Sequence, residues 1–556
     1  MDLIMSYLHS GLSAIIPLVI LLGMLIFVHE LGHFLVARWC GVRVETFSLG
    51  FGKKILQYKK GDTTYCISLI PLGGYVKMFG EQPGDSIAEA DKSVSFTHKT
   101  VWQRIAIVLA GPIMNFLFAI LVFFVVALVG EEMRSPVMGD VKTGSIAYEA
   151  GLRSGDRVLS VNGKAVRTWD ELQVELTKNI GQTAQLEVAE YRLQDKVKLV
   201  KVPIQAKNNP NILSTVERVG DIEGISFFAK GTAVAVSGRS PLAVVGLQTG
   251  DFISAVNGRA TEKWRDVEDH LNNLPTNEGL ELQVKRLMDE KGKMQDLTVN
   301  LAAGVVKSYS LQSLGLESAE TYLGKVMEDS PAMMAGLKAG DKILSIDSKS
   351  ILGWDDVLNT IRQYQGSEPL NIEIMRGEAK QNIKVMPKVS EMQNQNGIEE
   401  KRFAIGIQPV PNMAASETTV IKSDSVGSAA LRGVERTWDI TAMTVMSFVR
   451  LFEAKVSPKN IGGVISIGQA AHDTFKMGLS QFLTMMAIIS VNLFILNLLP
   501  VPVLDGGHLV FYTIEAVKGS PLSLKKMEIA QQIGIILLMS LMAFALFNDF
   551  SRLFRS

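Results

Sequence analysis

Two histidines and a glutamate are spaced for metal chemistry near the start of this 556-residue chain. His29 and His33 are four residues apart, and Glu30 directly follows the first, in the pattern HExxH. On a helix, the two imidazoles share one face and can bind a single Zn²⁺. Glu30 lies beside them as a general base for water that the metal activates. The spacing therefore predicts a zinc site for hydrolysis.

The motif lies inside an apolar stretch, residues 12–39, that predicts a membrane span. An ionisable group near the bilayer centre costs roughly 2.5 kcal/mol or more on insertion scales. Three such groups within five residues need a compensating partner, and a metal ion provides one. The alternative is a polar patch that seals an interface between helices.

A metal held by two histidines needs a third protein ligand if one position is to stay open for water. The segment 497–508 (NLLPVPVLDGGH) contains two prolines and two glycines that interrupt a helix at membrane depth. Interrupted backbone is tolerated there only where it lines a protein or water cavity. Asp505 is therefore the expected third ligand. His508 is either an alternative ligand or a hydrogen-bonded neighbour.

The composition predicts a membrane protein with a large soluble part. The chain is 47% hydrophobic and 20% charged with a formal net charge of zero, which argues against a nucleic-acid binder. The first apolar stretch is expected to be retained, because it lacks the basic start and the cleavage site of a signal peptide. Four segments are apolar enough to span, namely 12–39, 105–129, 482–499 and 533–547.

Basic residues predict the orientation of these spans. Six lysines and arginines lie between positions 38 and 60, and none precedes the first span, so this loop is expected in the cytoplasm. The long middle region, about 131–480, is then extracytoplasmic. Cys40 and Cys66 fall in the cytoplasmic loop, where thiols stay reduced, and no metal site is expected there.

The middle region contains a repeat. Residues 145–156 (SIAYEAGLRSGD) recur as 240–251 and 330–341, and Trp169, Trp264 and Trp354 each follow thirteen residues after the final Asp. A spacing of about 90 residues suits small domains rather than solenoid units. The copies resemble PDZ domains of bacterial proteases, which add an extended peptide as a strand or bind a chain terminus. Candidate ligand loops precede the second and third copies, at 224–227 and 314–317. The alternative is that the copies act as spacers or as a steric gate.

Together, HELGH, the LDG motif at 504–506 and the inserted PDZ-like copies resemble the site-2 protease family of intramembrane zinc metalloproteases. Supporting matches are Gly111 and Asn115, the glycines Gly73 and Gly74, and Asn492 and Asn497. The resemblance implies a protein of the bacterial inner membrane that cleaves single-span proteins, including a trimmed anti-sigma factor and remnant signal peptides. The protein is expected to be a monomer. Members typically carry two PDZ domains, whereas three copies are present here.

The resemblance also implies a membrane-associated β-hairpin on the cytoplasmic side, around Gly73 and Gly74. Its unpaired edge would accept a substrate that must unwind before hydrolysis. Asn492 and Asn497 would bond the substrate backbone, and Asn115 would shape the pocket. The alternative for these asparagines is packing between helices.

The expected fold is a four-span helical membrane protein with three inserted PDZ-like α+β domains and a small hairpin. An amphipathic helix at 434–452 is expected to lie on the membrane surface rather than to span it. Rival classes are a PDZ scaffold with a structural metal and a transporter, which would show paired repeats among its spans. The expected segments are 1–40 and 101–130 (first two spans), 41–100 (hairpin loop), 131–207, 215–303 and 310–390 (PDZ-like copies), 391–480 (linker) and 481–556 (last two spans).

Overall fold

The computed structural model describes residues 2–81, 87–191, 196–226, 228–288, 293–393 and 399–555. They divide into two compact units. The helical unit comprises Met1–Glu132, Ile212–Thr215 and Val420–Ser556. The modular unit comprises Met133–Asn211 and Val216–Thr419.

The helical unit begins with a long helix, a strand pair and a second long helix. Residues 44–49 of the first strand pair with 74–78 on one side and with 64–67 on the other, and 54–60 pair with 63–68. The segment 74–78 is thus at an edge, with no further strand beside it among the described residues. These elements are α1 (Asp2–Trp39), β1 (Val44–Lys60), β2 (Thr63–Met78) and α2 (Val101–Val129).

The modular unit contains three modules that repeat one order of elements. Each has a four-stranded antiparallel sheet, one long helix and a short two-stranded sheet. After β3 (Glu131–Arg134), module 1 consists of β4 (Asp140–Val141), α3 (Ile146–Glu149), β5 (Arg157–Val161), β6 (Lys164–Ala165), α4 (Trp169–Lys178), β7 (Thr183–Ala189), β8 (Val197–Pro203), β9 (Gln205–Asn208), β10 (Arg218–Asp221) and β11 (Ile225–Ser226).

Modules 2 and 3 follow the same plan. Module 2 consists of β12 (Val234–Val236), α5 (Pro241–Val244), β13 (Phe252–Val256), β14 (Arg259–Ala260), α6 (Trp264–Asn272), β15 (Leu280–Leu287), β16 (Met294–Leu301), α7 (Leu311–Leu314) and β17 (Leu316–Ser318). Module 3 consists of β18 (Leu323–Val326), α8 (Pro331–Met334), β19 (Lys342–Ile346), β20 (Lys349–Ser350), α9 (Trp354–Arg362), β21 (Leu370–Arg376), β22 (Ala379–Val385), β23 (Lys388–Gln393), β24 (Glu399–Ala404) and β25 (Ile407–Pro409).

The chain then returns to the helical unit and ends in five helices. Four helices of this unit are long and apolar enough to cross a membrane: Ile15–Trp39, Val101–Val129, Leu479–Leu498 and Leu524–Arg552. They match the four predicted spans, although α2 starts four residues early because a capping box between Thr100 and Gln103 begins the helix before the apolar run. The closing elements are β26 (Thr418–Ile421), α10 (Val426–Phe452), α11 (Val464–Met477), α12 (Leu479–Leu498), α13 (Asp505–Lys518) and α14 (Leu524–Arg555).

The repeated Gly-Asp pair has a structural role in every module. Each aspartate is 1% exposed and accepts a hydrogen bond from the backbone N–H three residues before it. A cation from the sheet compensates each buried carboxylate, which would otherwise be costly. The pairs are Lys198 with Asp156, Arg286 with Asp251 and Arg376 with Asp341, at 2.7–2.8 Å.

The closing strand of each module lies beyond the residue range that was predicted from the sequence for that copy. The strand Ile225–Ser226 pairs with β4 of module 1, and Leu316–Ser318 pairs with β12 of module 2. The loops at 224–227 and 314–317 therefore close the preceding copy rather than open the next one; Phe227 lies outside the described residues. Module 3 closes likewise with Ile407–Pro409, inside the predicted linker. Pairing across about 80 residues leaves no local pattern in a sequence.

The predicted amphipathic helix at 434–452 is part of α10, which starts eight residues earlier. One face packs on α2, because a Cβ at Gly433 would lie 2.8 Å from the Ile120 carbonyl oxygen. The other face exposes Trp438, Val445 and Val449. This helix is not among the candidate spans.

Candidate metal centre and catalytic cavity

The HELGH motif lies on α1, as its spacing predicted. His29 Nε2 and His33 Nε2 are 3.2 Å apart, and the two rings are at 84° to each other. Both imidazoles thus point their Nε2 atoms at one place. One helical turn between the two residues is sufficient for this geometry.

Two glycines let α1 and α2 approach closely at this level. A Cβ at Gly32 would collide with the Ala110 carbonyl of α2. A Cβ at Gly111 would collide with the His33 ring and lie 2.8 Å from His29 Cε1. Gly111 therefore leaves the space that both imidazoles occupy.

The interrupted segment after α12 brings Asp505 back to α1. Pro500 and Pro502 lie in the turn that ends α12, where prolines cannot continue the helical ladder. A side chain at Gly506 or Gly507 would overlap the backbone of residues 498–502. The paired glycines therefore allow α13 to start directly against this turn, with Asp505 as its first residue.

The three predicted ligands meet at one point. Asp505 Oδ2 lies 3.2 Å from His29 Nε2 and 3.6 Å from His33 Nε2. Zinc with bonds of about 2.0 Å and tetrahedral geometry holds its ligand atoms about 3.3 Å apart. The two nitrogens and one oxygen thus fit a zinc ion and leave a fourth position open. Among the described residues, this is the one group of metal-ligating side chains of its kind.

Glu30 and this cluster line a cavity of about 1090 Å³. Gly74 lies against Glu30, and a Cβ there would come within 3.1 Å of Glu30 Cγ and 2.9 Å of the Ser48 carbonyl oxygen. A side chain at Gly73 would overlap the Phe51 ring. The edge segment 74–78 forms one wall of the cavity, so both glycines keep a backbone edge close to the predicted base.

The predicted asparagines divide into two groups. Asn115 Nδ2 and Asn497 Nδ2 lie 3.3 and 3.5 Å from His29 Nδ1. Asn492 is not among the residues that line the cavity, and its Oδ1 accepts a hydrogen bond of 2.9 Å from Thr444 of α10. His508 lines the cavity but is not in the metal-ligating group. This favours the alternative that His508 is a neighbour of the ligands rather than a ligand.

Other contributors carry no signal in the sequence. The Ile107 carbonyl of α2 lies 2.8 Å from His33 Nδ1 and orients that ring. Tyr512 of α13 lines the cavity, and burial raises its pKa to about 12, so its hydroxyl stays protonated. Arg104 of α2 pairs with Glu515 of α13 at 2.6 Å. Motif spacing cannot predict the role of a backbone carbonyl or the pairing of two charges that are 411 positions apart.

These groups form a candidate metal centre of the hydrolase type, among helices that are long enough to cross a membrane. The model of peptidase family M50 matches residues 17–541. Protease RseP of Yersinia pestis is 33% identical over 98% of this chain and 100% of its own length. Regulator of sigma-E protease RseP of Escherichia coli K12 is 32% identical over 96% of this chain and 98% of its own. The chain belongs to peptidase family M50 and is a multi-pass membrane zinc metalloprotease.

Two further comparisons concern the metal and the modules. A Pasteurella multocida protein named as a zinc metalloprotease is 32% identical, over 99% of this chain and 100% of its own length. The PDZ domain of a Listeria monocytogenes SdrC-like protein covers 17% of this chain and 90% of its own at 21% identity, with a TM-score of 0.14. The fold of the modules therefore rests on their own topology.

Proposed function

We propose that His29, His33 and Asp505 hold Zn²⁺ and that Glu30 is the general base of peptide-bond hydrolysis. The observation that carries this proposal is the spacing of three ligand atoms, at 3.2, 3.2 and 3.6 Å, beside Glu30 in one cavity. When bound, zinc polarises a scissile carbonyl and lowers the pKa of water toward about 7. Glu30 takes the proton from the attacking water and delivers it to the leaving amine.

The substrate is a single-span membrane protein that enters the cavity in extended form. A helical substrate keeps its peptide bonds inside its own hydrogen-bond ladder, so cleavage requires local unwinding. The edge segment 74–78 supplies backbone partners for the unwound substrate, which adds as a strand. Asn497 lies beside His29, which lines the cavity, and offers its side-chain amide to the substrate backbone.

By similarity to the relatives named for sigma-E regulation, the substrates include an anti-sigma factor already trimmed by another protease, and remnant signal peptides. The protein acts as a monomer in the bacterial inner membrane, with the modules periplasmic and the metal centre nearer the cytoplasmic face. The three modules are PDZ-like, and they gate access by size rather than recruit substrates. The repeated topology and the clear closing strands support the PDZ-like assignment.

The test uses purified full-length protein and a model single-span substrate without an external domain. A chelator should abolish cleavage, and stoichiometric zinc should restore it. Glu30→Gln should keep zinc and lose activity by a factor of roughly 10²–10⁴, because an amide cannot accept the proton. Glu89→Gln, which changes an exposed acid that pairs with Lys92, is the control and should match wild type. Activity of Glu30→Gln within tenfold of wild type would remove Glu30 from this role.

A further inference from the structure

A histidine that binds zinc through Nε2 carries its proton on Nδ1, and a nearby oxygen usually accepts that proton. This outer acceptor fixes the tautomer and the direction of the ring. For His33 the acceptor is the Ile107 carbonyl oxygen, which lies 2.8 Å from its Nδ1. The Nδ1 atom of His29 therefore needs a hydrogen-bond acceptor as well, if His29 is to bind zinc through Nε2.

Within the described part of the chain, the side chains within hydrogen-bonding distance of His29 Nδ1 are those of two asparagines. The nearest atoms are Asn115 Nδ2 at 3.3 Å and Asn497 Nδ2 at 3.5 Å. An amide nitrogen donates, and so does a protonated Nδ1, so neither contact can form while these nitrogens face the ring. An amide turned by 180° exchanges its oxygen and nitrogen and provides the acceptor.

Three observations favour Asn115 over Asn497 for this role. Asn115 is fully buried, and its Oδ1 has no hydrogen-bond partner. Its amide is also the nearer one. Its main chain is fixed, because the buried Ser490 hydroxyl of α12 donates to the Asn115 carbonyl at 2.7 Å. Buried polar atoms normally have hydrogen-bond partners. The unpartnered Oδ1 of Asn115 and the Nδ1 proton of His29 would satisfy each other.

We propose that Asn115 is a positioning residue whose Oδ1 accepts the Nδ1 proton of His29 and aims Nε2 at the zinc. This inference rests on the proposed zinc ligation. Ile107, Gly111 and Asn115 follow at intervals of four, so they share one face of α2. The first orients His33, the second leaves room for both rings, and the third orients His29. One helix face thus forms the outer shell of two ligands, and Asn497 stays available to the substrate.

The test compares Asn115→Leu and Asn115→Asp in the full-length protein. Zinc affinity is measured by competition with a chromophoric chelator at fixed pH, and thermal unfolding is measured on the zinc-free proteins. Asn115→Leu should bind zinc roughly 10- to 100-fold more weakly, the usual effect of losing such a partner. Asn115→Asp, which keeps an acceptor oxygen, should stay within about threefold of wild type on that scale. The control is Asn492→Leu, an amide that bonds Thr444, and its zinc affinity should not change.

The outcomes separate this inference from the proposed function. If wild-type protein binds no zinc, or Asp505→Ala binds it equally well, the proposed ligation fails. If wild type binds zinc and Asn115→Leu binds it equally well, only the role of Asn115 fails. Equal losses in the Leu and Asp variants would also overturn it, because they would indicate packing rather than an acceptor. If Asn115→Leu does not fold, a loss of zinc affinity in Asn115→Asp that matches the Asp505→Ala loss rejects the proposal, and retention supports it.

Discussion

Arg104 of α2 donates two hydrogen bonds to Glu515 of α13, from Nη2 at 2.6 Å and from Nη1 at 3.1 Å. Both side chains are largely buried, and the guanidinium also lies 4.9 Å from the centre of the Tyr512 ring. Bidentate pairs of this kind fix direction as well as distance. Because α13 starts at Asp505, the pair ties the helix of the third ligand to the helix behind the two histidines.

Breaking this pair should weaken the metal centre from a distance. Arg104→Met leaves a partly buried carboxylate without its cation, which costs roughly 3 kcal/mol. We expect a lower temperature of unfolding and lower zinc occupancy after dialysis. The exchanged pair, Arg104→Glu with Glu515→Arg, should recover part of both. Unchanged zinc occupancy in Arg104→Met would show that α13 is held by other contacts.

Removing the carboxylate of Asp505 should release the metal. Asp505→Ala leaves two protein ligands, and zinc sites ordinarily need three or more. We expect the variant to lose zinc during dialysis against a chelator that wild type resists, as measured by elemental analysis. Asp91→Ala, at a half-exposed acid that pairs with Arg43, is the matched control. If Asp505→Ala keeps its zinc, the third ligand lies elsewhere, with His508 as the next residue to change.

Two glycines of α1 allow a test of helix contact without any change at the ligands. Gly32→Ala would push a methyl group into the Ala110 carbonyl, whereas nothing lies within 4 Å of a Cβ at Gly23. Overpacking of this kind costs roughly 1–3 kcal/mol. Gly32→Ala should therefore unfold at a lower temperature and bind zinc more weakly. Gly23→Ala should match wild type or be slightly more stable, because alanine favours helix. Equal effects of the two changes would contradict the close contact.

Replacing residues 135–417 by a short linker tests whether the modules gate or recruit. A folded module of about 90 residues has a radius of gyration near 12 Å, so three of them can exclude an external domain of similar size. If they gate, the shortened protein should cut substrates with and without an external domain at similar rates. Wild type should cut only the trimmed substrate. Loss of cutting for both substrates, in a folded and zinc-loaded protein, would indicate recruitment.

The sequence was sufficient for those features that local pattern controls. HELGH fixes its own geometry, because one helical turn sets the positions of His29 and His33. The proximity of Asp505 to the histidines could be predicted, because interrupted backbone at membrane depth is tolerated only where it lines a cavity. The expected role of Asn492 at the substrate remains a prediction, although its amide oxygen already has a partner in Thr444.

Features that depend on pairing between distant segments could not be predicted from the sequence. The closing strands of modules 1 and 2 lie in the ranges predicted for the next copy, and that of module 3 lies in the predicted linker. Antiparallel partners about 80 residues apart share no spacing that a sequence would reveal. The Ile107 carbonyl has no side-chain identity to read, and the pairing of Arg104 with Glu515 depends on how α13 folds back. The predicted spans were correct in place but short, because hydropathy ends where polar residues continue the helix, as in α14 before Ile533.

Each module is closed by pairing of its first and last strands: β4 with β11, β12 with β17, and β18 with β25. Paired strands lie about 4.8 Å apart, so the chain leaves each module next to where it entered. A gene duplication that copies one such segment inserts a closed loop and leaves the flanking chain in register. A chain that gained or lost one such module would therefore keep its flanking segments at the same separation, without any compensating change in the helices that carry the metal ligands.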